Sequence, residues 1–100
     1  MHVSPLSRIE LEGALPTIPN WRFEDDALVR ELRFSSHPEA IAFIVELSAV
    51  AEEMSHHPEI LNIWASVTLT LRTHDAGDKV TSLDIMLARA VDDLWDAAQG

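Results

Sequence analysis

Cysteine is absent from the 100-residue chain, which removes disulfides, thiolate nucleophiles and cysteine-ligated zinc from consideration. Positive charge is scarce. Seven basic residues stand against seventeen acidic ones, the formal charge is −10, and Lys79 is the only lysine. Without a Lys/Arg-rich run the chain is not expected to bind a nucleic-acid backbone or an anionic membrane surface. Long apolar runs are missing too, and none approaches the roughly eighteen residues of a membrane span. The first twenty residues, MHVSPLSRIELEGALPTIPN, show no basic flank followed by an apolar core. No secretory leader is therefore expected, and the cytoplasm is the expected compartment. Glycine and proline are few, at three and five, while apolar residues make up 47%. Such a chain carries enough apolar surface to fold, and its length predicts one domain over residues 1–100.

What is present divides into segments with different hydrophobic periods. Pro5, Pro16 and Pro19 leave room for one short helix around SRIELEGAL. WRFEDDALVRELRF reads as a β-hairpin turning at Asp25 and Asp26, with Leu28, Leu32 and Phe34 on one face and Arg30 an exception among them. From Ser36 the period becomes helical: Ser36 is the expected N-cap, Pro38 sits in the first turn, and Ile41, Ile44, Leu47, Val50, Ala51 and Met54 form the expected buried stripe. NIWASVTLTLRTH alternates as a half-buried strand, with Ile63, Ala65, Val67, Leu69 and Leu71 facing inward. DAGD is a turn. Thr81, with Asp84 three residues on, opens a last helix in capping-box spacing, with Leu83, Leu87, Val91, Leu94 and Ala98 as its core stripe. Ile85, Met86 and Trp95 widen its apolar face enough to suggest a subunit contact. Strands, helix, strands, helix with short connections predict an α+β sheet with its helices on one face.

The chemistry-bearing residues gather around AEEMSHHPEILNIW, residues 51–64. His56 and His57 are adjacent where the helical pattern stops. On a continuous helix neighbouring side chains diverge by about 100°. Pro58, however, disfavours the α conformation at His57, so the two rings can approach one place from different backbone geometries. Glu52 lies four residues before His56, where a carboxylate on the same helix face would orient its imidazole. An isolated HHP also fits an ordinary polar helix end. His74 fits a strand-end residue, and Asp84 a helix cap. Trp64, on the polar face of a strand, would cover a ligand ring, a partner chain or a helix flank. His56, His57 and His74 with Glu52 would also suit zinc, although the H-E-x-x-H spacing is absent and adjacent histidines are awkward ligands for one ion.

Taken together, Glu52, the HHP triplet, Trp64, His74 and Asp84 resemble the pterin-4a-carbinolamine dehydratase family. The likeness runs from about Leu15 to Leu94 through NW, AEEMSHHPE, NIW, VTLTLRTHDAG and the D…LARAVD of the last helix, leaving residues 1–14 as a variable segment. It implies a four-stranded antiparallel sheet with helices packed on one side, a homodimer or homotetramer, and no metal or organic cofactor. It also implies dehydration of a 4a-hydroxytetrahydropterin by histidine acid/base catalysis. On this resemblance His56, His57 and His74 are the functional histidines, supported by Glu52, Pro58, Trp64 and Asp84. Gly77-Asp78 stands where the family has Gly-Gly, one extra residue separates His74 from Asp84, and Ile60 stands where an aromatic is common. These departures bear on the turn and on the assignment of Asp84. Two other functions are open: a non-catalytic interaction protein, since animal members act as coactivators, and a histidine-ligated metal protein.

Overall fold

In a computed structural model, which describes residues 3–99, the first element is α1, Arg8–Ala14. Ser7 starts it with a reciprocal capping box. The Glu10 N–H donates to Ser7 Oγ at 3.1 Å and the Ser7 N–H donates to Glu10 Oε1 at 2.9 Å. That backbone donor, reinforced by the Ser7 hydroxyl, holds the Glu10 carboxyl below its usual pKa. A short 3₁₀ turn over Leu15–Thr17 leads into the sheet.

The strands are β1 (Arg22–Glu24), β2 (Ala27–Arg33), β3 (Glu59–Ile63) and β4 (Ser66–Leu71). They lie in the order β1-β2-β4-β3, and every neighbouring pair is antiparallel. The expected α+β class and four-stranded antiparallel sheet are thus present. Asp25 and Asp26 both take positive φ (50° and 58°), the conformation a two-residue hairpin needs to follow strand twist. Register sets Leu28 against Leu71, Arg30 against Leu69 and Leu32 against Val67, so these six side chains share one face. The four leucines and the valine are essentially inaccessible to solvent.

Arg30 therefore points into the core face rather than away from it. It is tolerated there because its guanidinium is paired with Asp92, which also accepts the Trp21 Nε1–H at 2.8 Å. The guanidinium also lies 5.9 Å from the centroid of the Trp95 ring. Trp95 in turn meets Phe34 edge-on at 5.2 Å. This packing uses apolar surface that the sequence reading left available for a subunit contact, and Ile85 is buried as well; Met86 is the part that remains exposed.

The strand expected to run through NIWASVTLTLRTH is broken. Trp64 and Ala65 form the tip of the β3–β4 hairpin, Trp64 takes φ 52°, and the Asn62 amide donates to the Trp64 and Ser66 carbonyls across the turn. Ile63, expected inside, is exposed on the open face of the sheet.

α2 (His37–Met54) and α3 (Ser82–Gln99) cover the other face. Ser36 caps α2 as expected, accepting from the Glu39 N–H. The buried stripe is Ala40, Phe43, Leu47 and Ala51, with Ile44, Val50 and Met54 at its margins, while Ile41 is exposed. The helix is rotated relative to expectation because the aromatic Phe43 takes the core position beside Phe34 and Trp95. On α3, Leu87 and Val91 are buried with Ile85 and Ala88, whereas Ala98 is exposed near the helix end.

Candidate active site

The helix end that carries the histidine pair has its own geometry. α2 stops at Met54, and Ser55 adopts a left-handed conformation (φ 53°). The Ser55 N–H donates to Glu52 O and the His56 N–H to Ala51 O, at 3.1 and 3.0 Å, which closes the last turn as a Schellman motif. Both histidines thus lie beyond the helix, and Ser55 together with Pro58 separates their directions. His56 turns inward and is buried; His57 stays exposed.

His56 meets a fully buried carboxylate. Its Nε2–H donates to Asp84 Oδ1 at 2.6 Å, and Asp84 is 0% exposed. The second oxygen of Asp84 accepts from Thr73 Oγ1 at 2.8 Å and from the Thr81 N–H at 2.9 Å. With the Thr73 hydroxyl proton used on Asp84, the Thr81 hydroxyl donates to Thr73 Oγ1 at 2.8 Å and accepts from the Leu83 N–H. Each buried group is satisfied, as a low-dielectric site requires. Asp84 consequently does two things: it caps α3, as its spacing from Thr81 suggests, and it fixes the tautomer of His56.

Glu52 does not serve His56. Its Oε1 accepts from His57 Nε2 at 2.7 Å, because the left-handed Ser55 swings His56 off the α2 face that a continuous helix would have shared. His74, in a short 3₁₀ turn over His74–Ala76, pairs through Nδ1 with Asp78 Oδ1. Asp78 holds a left-handed position (φ 60°) next to Gly77 (φ 76°). Aspartate tolerates that region, so the turn forms despite the Gly77-Asp78 pairing and even supplies a partner for His74.

One cleft of about 510 Å³ is lined by all three histidines, with Arg72, Thr73 and Asp75 among its other walls. The volume is in the range of small-molecule sites. Each imidazole has one nitrogen committed to a carboxylate, which leaves Nδ1 of His56, Nδ1 of His57 and Nε2 of His74 for proton exchange. Pro58 lies between the pair and β3, outside the cleft lining. Trp64 is not brought to the site. It sits at the far end of the β3–β4 hairpin, 74% exposed, with its carbonyl accepting from His37 Nδ1 at the start of α2. The expected pocket wall is absent because the chain turns at Trp64 and returns the length of β4 before reaching Thr73. No group of three or more His, Asp or Glu side chains among the described residues is arranged to hold a metal ion.

Arg72 and Thr73 also line the cleft, and neither is among the site residues expected from the sequence. Thr73 had a usable signal, since it continues the inward row of Val67, Leu69 and Leu71 by one more step of two.

Fold and site together define a small α+β domain built around a buried Asp–His pair and two exposed imidazoles. The family model for pterin 4 alpha carbinolamine dehydratase matches residues 4–94. A Streptomyces avermitilis protein named as a candidate pterin-4-alpha-carbinolamine dehydratase is 42% identical over 94 residues, 94% of this chain and 93% of that one. One from Opitutus terrae with the same name is 43% identical over 84 residues, covering 84% and 87% of the two chains. Among solved structures, a transcriptional coactivator/pterin dehydratase from Brucella melitensis superposes with a TM-score of 0.85 at 32% identity, covering 91% of this chain and 98% of that one. A pterin dehydratase-like protein identified as a RuBisCO assembly factor of the alpha-carboxysome gives 0.60 at 27% identity, covering 74% and 84%. The chain belongs to the pterin-4a-carbinolamine dehydratase family. No helix among its described residues is long and apolar enough to cross a membrane.

Proposed function

We propose that this protein is a hydro-lyase that converts a 4a-hydroxytetrahydropterin to the quinonoid dihydropterin and water. The observation that carries the reading is the convergence of three imidazoles on one cleft, each with a carboxylate on one nitrogen and the other nitrogen uncommitted. In the reaction the C4a–O bond breaks as a proton reaches the departing oxygen, the N5–H proton goes to a base, and a C4a=N5 double bond forms. Water leaves and no redox change occurs. Imidazoles supply both acid and base near neutral pH. We assign the exchange to His56 and His74, with His57 orienting the pterin ring. Asp84 holds the His56 ring and stabilises its imidazolium; Glu52 does the same for His57. Positioned groups of this kind contribute about 10²–10⁴-fold in rate.

The test follows the decay of freshly generated 4a-carbinolamine by its ultraviolet absorbance with and without the protein. Catalysis is expected from the native chain and a near-background rate from His56→Ala or His74→Ala. Undiminished turnover in both variants would overturn the assignment.

Self-association accompanies this reading. β3 is an edge strand, and Leu61 and Ile63 are exposed on its open face, at 57% and 65%. A homodimer or homotetramer is the expected state, and light scattering on purified protein decides it; a monomer at micromolar concentration removes the proposal.

A further inference from the structure

Arg72 is the only lysine or arginine among the described residues lining the cleft, and the acid/base scheme has no use for it. It follows β4 directly and continues the row of Ser66, Thr68 and Thr70 on the open face of the sheet. Continuing the β3–β4 register two residues beyond Glu59↔Thr70 sets it opposite His57. Its Nε is buried and makes no hydrogen bond among the described residues. Its ion pair with Glu59 spans 3.8 Å from Nη2 to Oε2, too long for a hydrogen bond. A guanidinium carries five N–H donors, and a buried donor without an acceptor is costly to maintain. Such a group beside a cleft calls for an acceptor from outside the chain.

The acceptor's chemistry can be narrowed. Glu52, Asp75 and Asp78 accompany the three histidines, and Glu59 stands beside Arg72, so an anionic substituent would be repelled from most directions. A neutral carbonyl oxygen would not. Resting on the dehydratase reading, we propose that Arg72 is a substrate-orienting residue that donates to the carbonyl oxygen of the pterin's pyrimidinone ring. That carbonyl is bonded to C4a, the carbon that loses hydroxide, and it takes no part in the bond changes, so the contact holds the ring in the cleft equally before and during the reaction. Arg72 binds without exchanging protons, and its loss should weaken binding of substrate and transition state alike.

Steady-state dehydration kinetics on Arg72→Met, Arg72→Lys and Glu59→Gln, with equilibrium binding of a 7,8-dihydropterin to each, test this. Losing a charge-assisted hydrogen bond should raise KM and the dihydropterin Kd by about 10-fold or more with kcat little changed. Arg72→Lys should recover part of the loss, because an ammonium keeps the charge but not the planar fork. Glu59→Gln should leave KM unchanged or lower, since it releases the guanidinium. Native KM in Arg72→Met, or a rise in Glu59→Gln equal to that in Arg72→Met, overturns the proposal, the latter by making Arg72 a partner of Glu59 only. Should Arg72→Met fail to fold, Arg72→Lys and Glu59→Gln carry the same comparison. Arg72-dependent dihydropterin binding in a native chain without turnover would remove the dehydratase reading and keep this one; a native chain with neither binding nor turnover would remove both.

Discussion

His56 and His57 are consecutive, and each gives one ring N–H to a carboxylate over nearly the same distance, 2.6 and 2.7 Å. Beyond that the two pairs differ. The His56 and Asp84 side chains are 9% and 0% exposed, those of His57 and Glu52 62% and 80%. Asp84 is held by two further donors on Thr73 and Thr81. The Glu52 carboxylate leaves the last turn of α2 with no other hydrogen bond among the described residues. A buried pair loses heavily when one partner is removed, because the survivor is stranded without water. An exposed pair is solvated, screened and entropically costly to hold, and contributes about 0–1 kcal/mol. Identical chemistry thus yields a buried imidazole beside an exposed one. The buried ring is fixed by a carboxylate whose other oxygen is itself held by two donors, and the exposed ring by a single solvated partner.

The largest effect should come from Asp84→Asn. Three donors converge on this carboxylate, and an amide cannot accept them all, because its NH₂ must face one of them. Stability in urea should fall by about 3–5 kcal/mol, and dehydration by about 10²–10⁴-fold as the His56 ring loses its orientation. The second contrast is kinetic. His56→Gln should bring the dehydration rate close to background, whereas His57→Gln should act mainly on KM, as expected if the buried ring transfers protons and the exposed one positions substrate. Equal losses in kcat from the two variants would end that division of labour.

How much of this could be read from the residues depends on how local each cause is. The helices and the first hairpin were legible because caps and turn residues act within four positions: Ser36, the Asp25-Asp26 turn, and Thr81 with Asp84 all stand where expected. That the three cleft-lining histidines form a set is suggested in the sequence only by their spacing within the family pattern. What escaped had non-local causes. Arg30 reads as an exception until Asp92, distant in sequence and also bonded to Trp21, arrives beside it. Glu52 is expected beside His56 because i,i+4 spacing supposes a continuous helix, and Ser55 ends it one residue before His56. Alternation persists across the two-residue turn at Trp64, so periodicity alone does not reveal the reversal. Nothing in the periodicity distinguishes Arg72 from the half-buried threonines in its row.

Ser55 shares with Pro58 the parting of the two rings, so substituting it tests the comparison at its origin. Its left-handed backbone suits glycine and opposes β-branched residues. Ser55→Val should destabilise the fold by about 1–2 kcal/mol and lower dehydration, since relieving the strain re-aims His56 and His57 together. Ser55→Gly should keep activity and gain about 0.5 kcal/mol at most, the relief of strain being partly offset by the entropy of a freer unfolded chain. Native stability and rate in Ser55→Val would mean that Pro58 alone separates the pair.

Glu52→Gln should have the smallest effect. Glutamine retains an oxygen that can accept from His57 Nε2, and the site is exposed enough for water to take over. Urea unfolding should shift by less than about 1 kcal/mol, with dehydration changed only a few-fold. Ionic strength sharpens the contrast. At about 1 M salt the Debye length falls to about 3 Å, so what remains of the Glu52 effect should fade, whereas the loss in Asp84→Asn should persist because no counter-ion reaches a buried carboxylate. A Glu52→Gln variant as unstable and as slow as Asp84→Asn, at low and high salt alike, would mean that exposure does not separate the two pairs and that His57 is held as firmly as its neighbour.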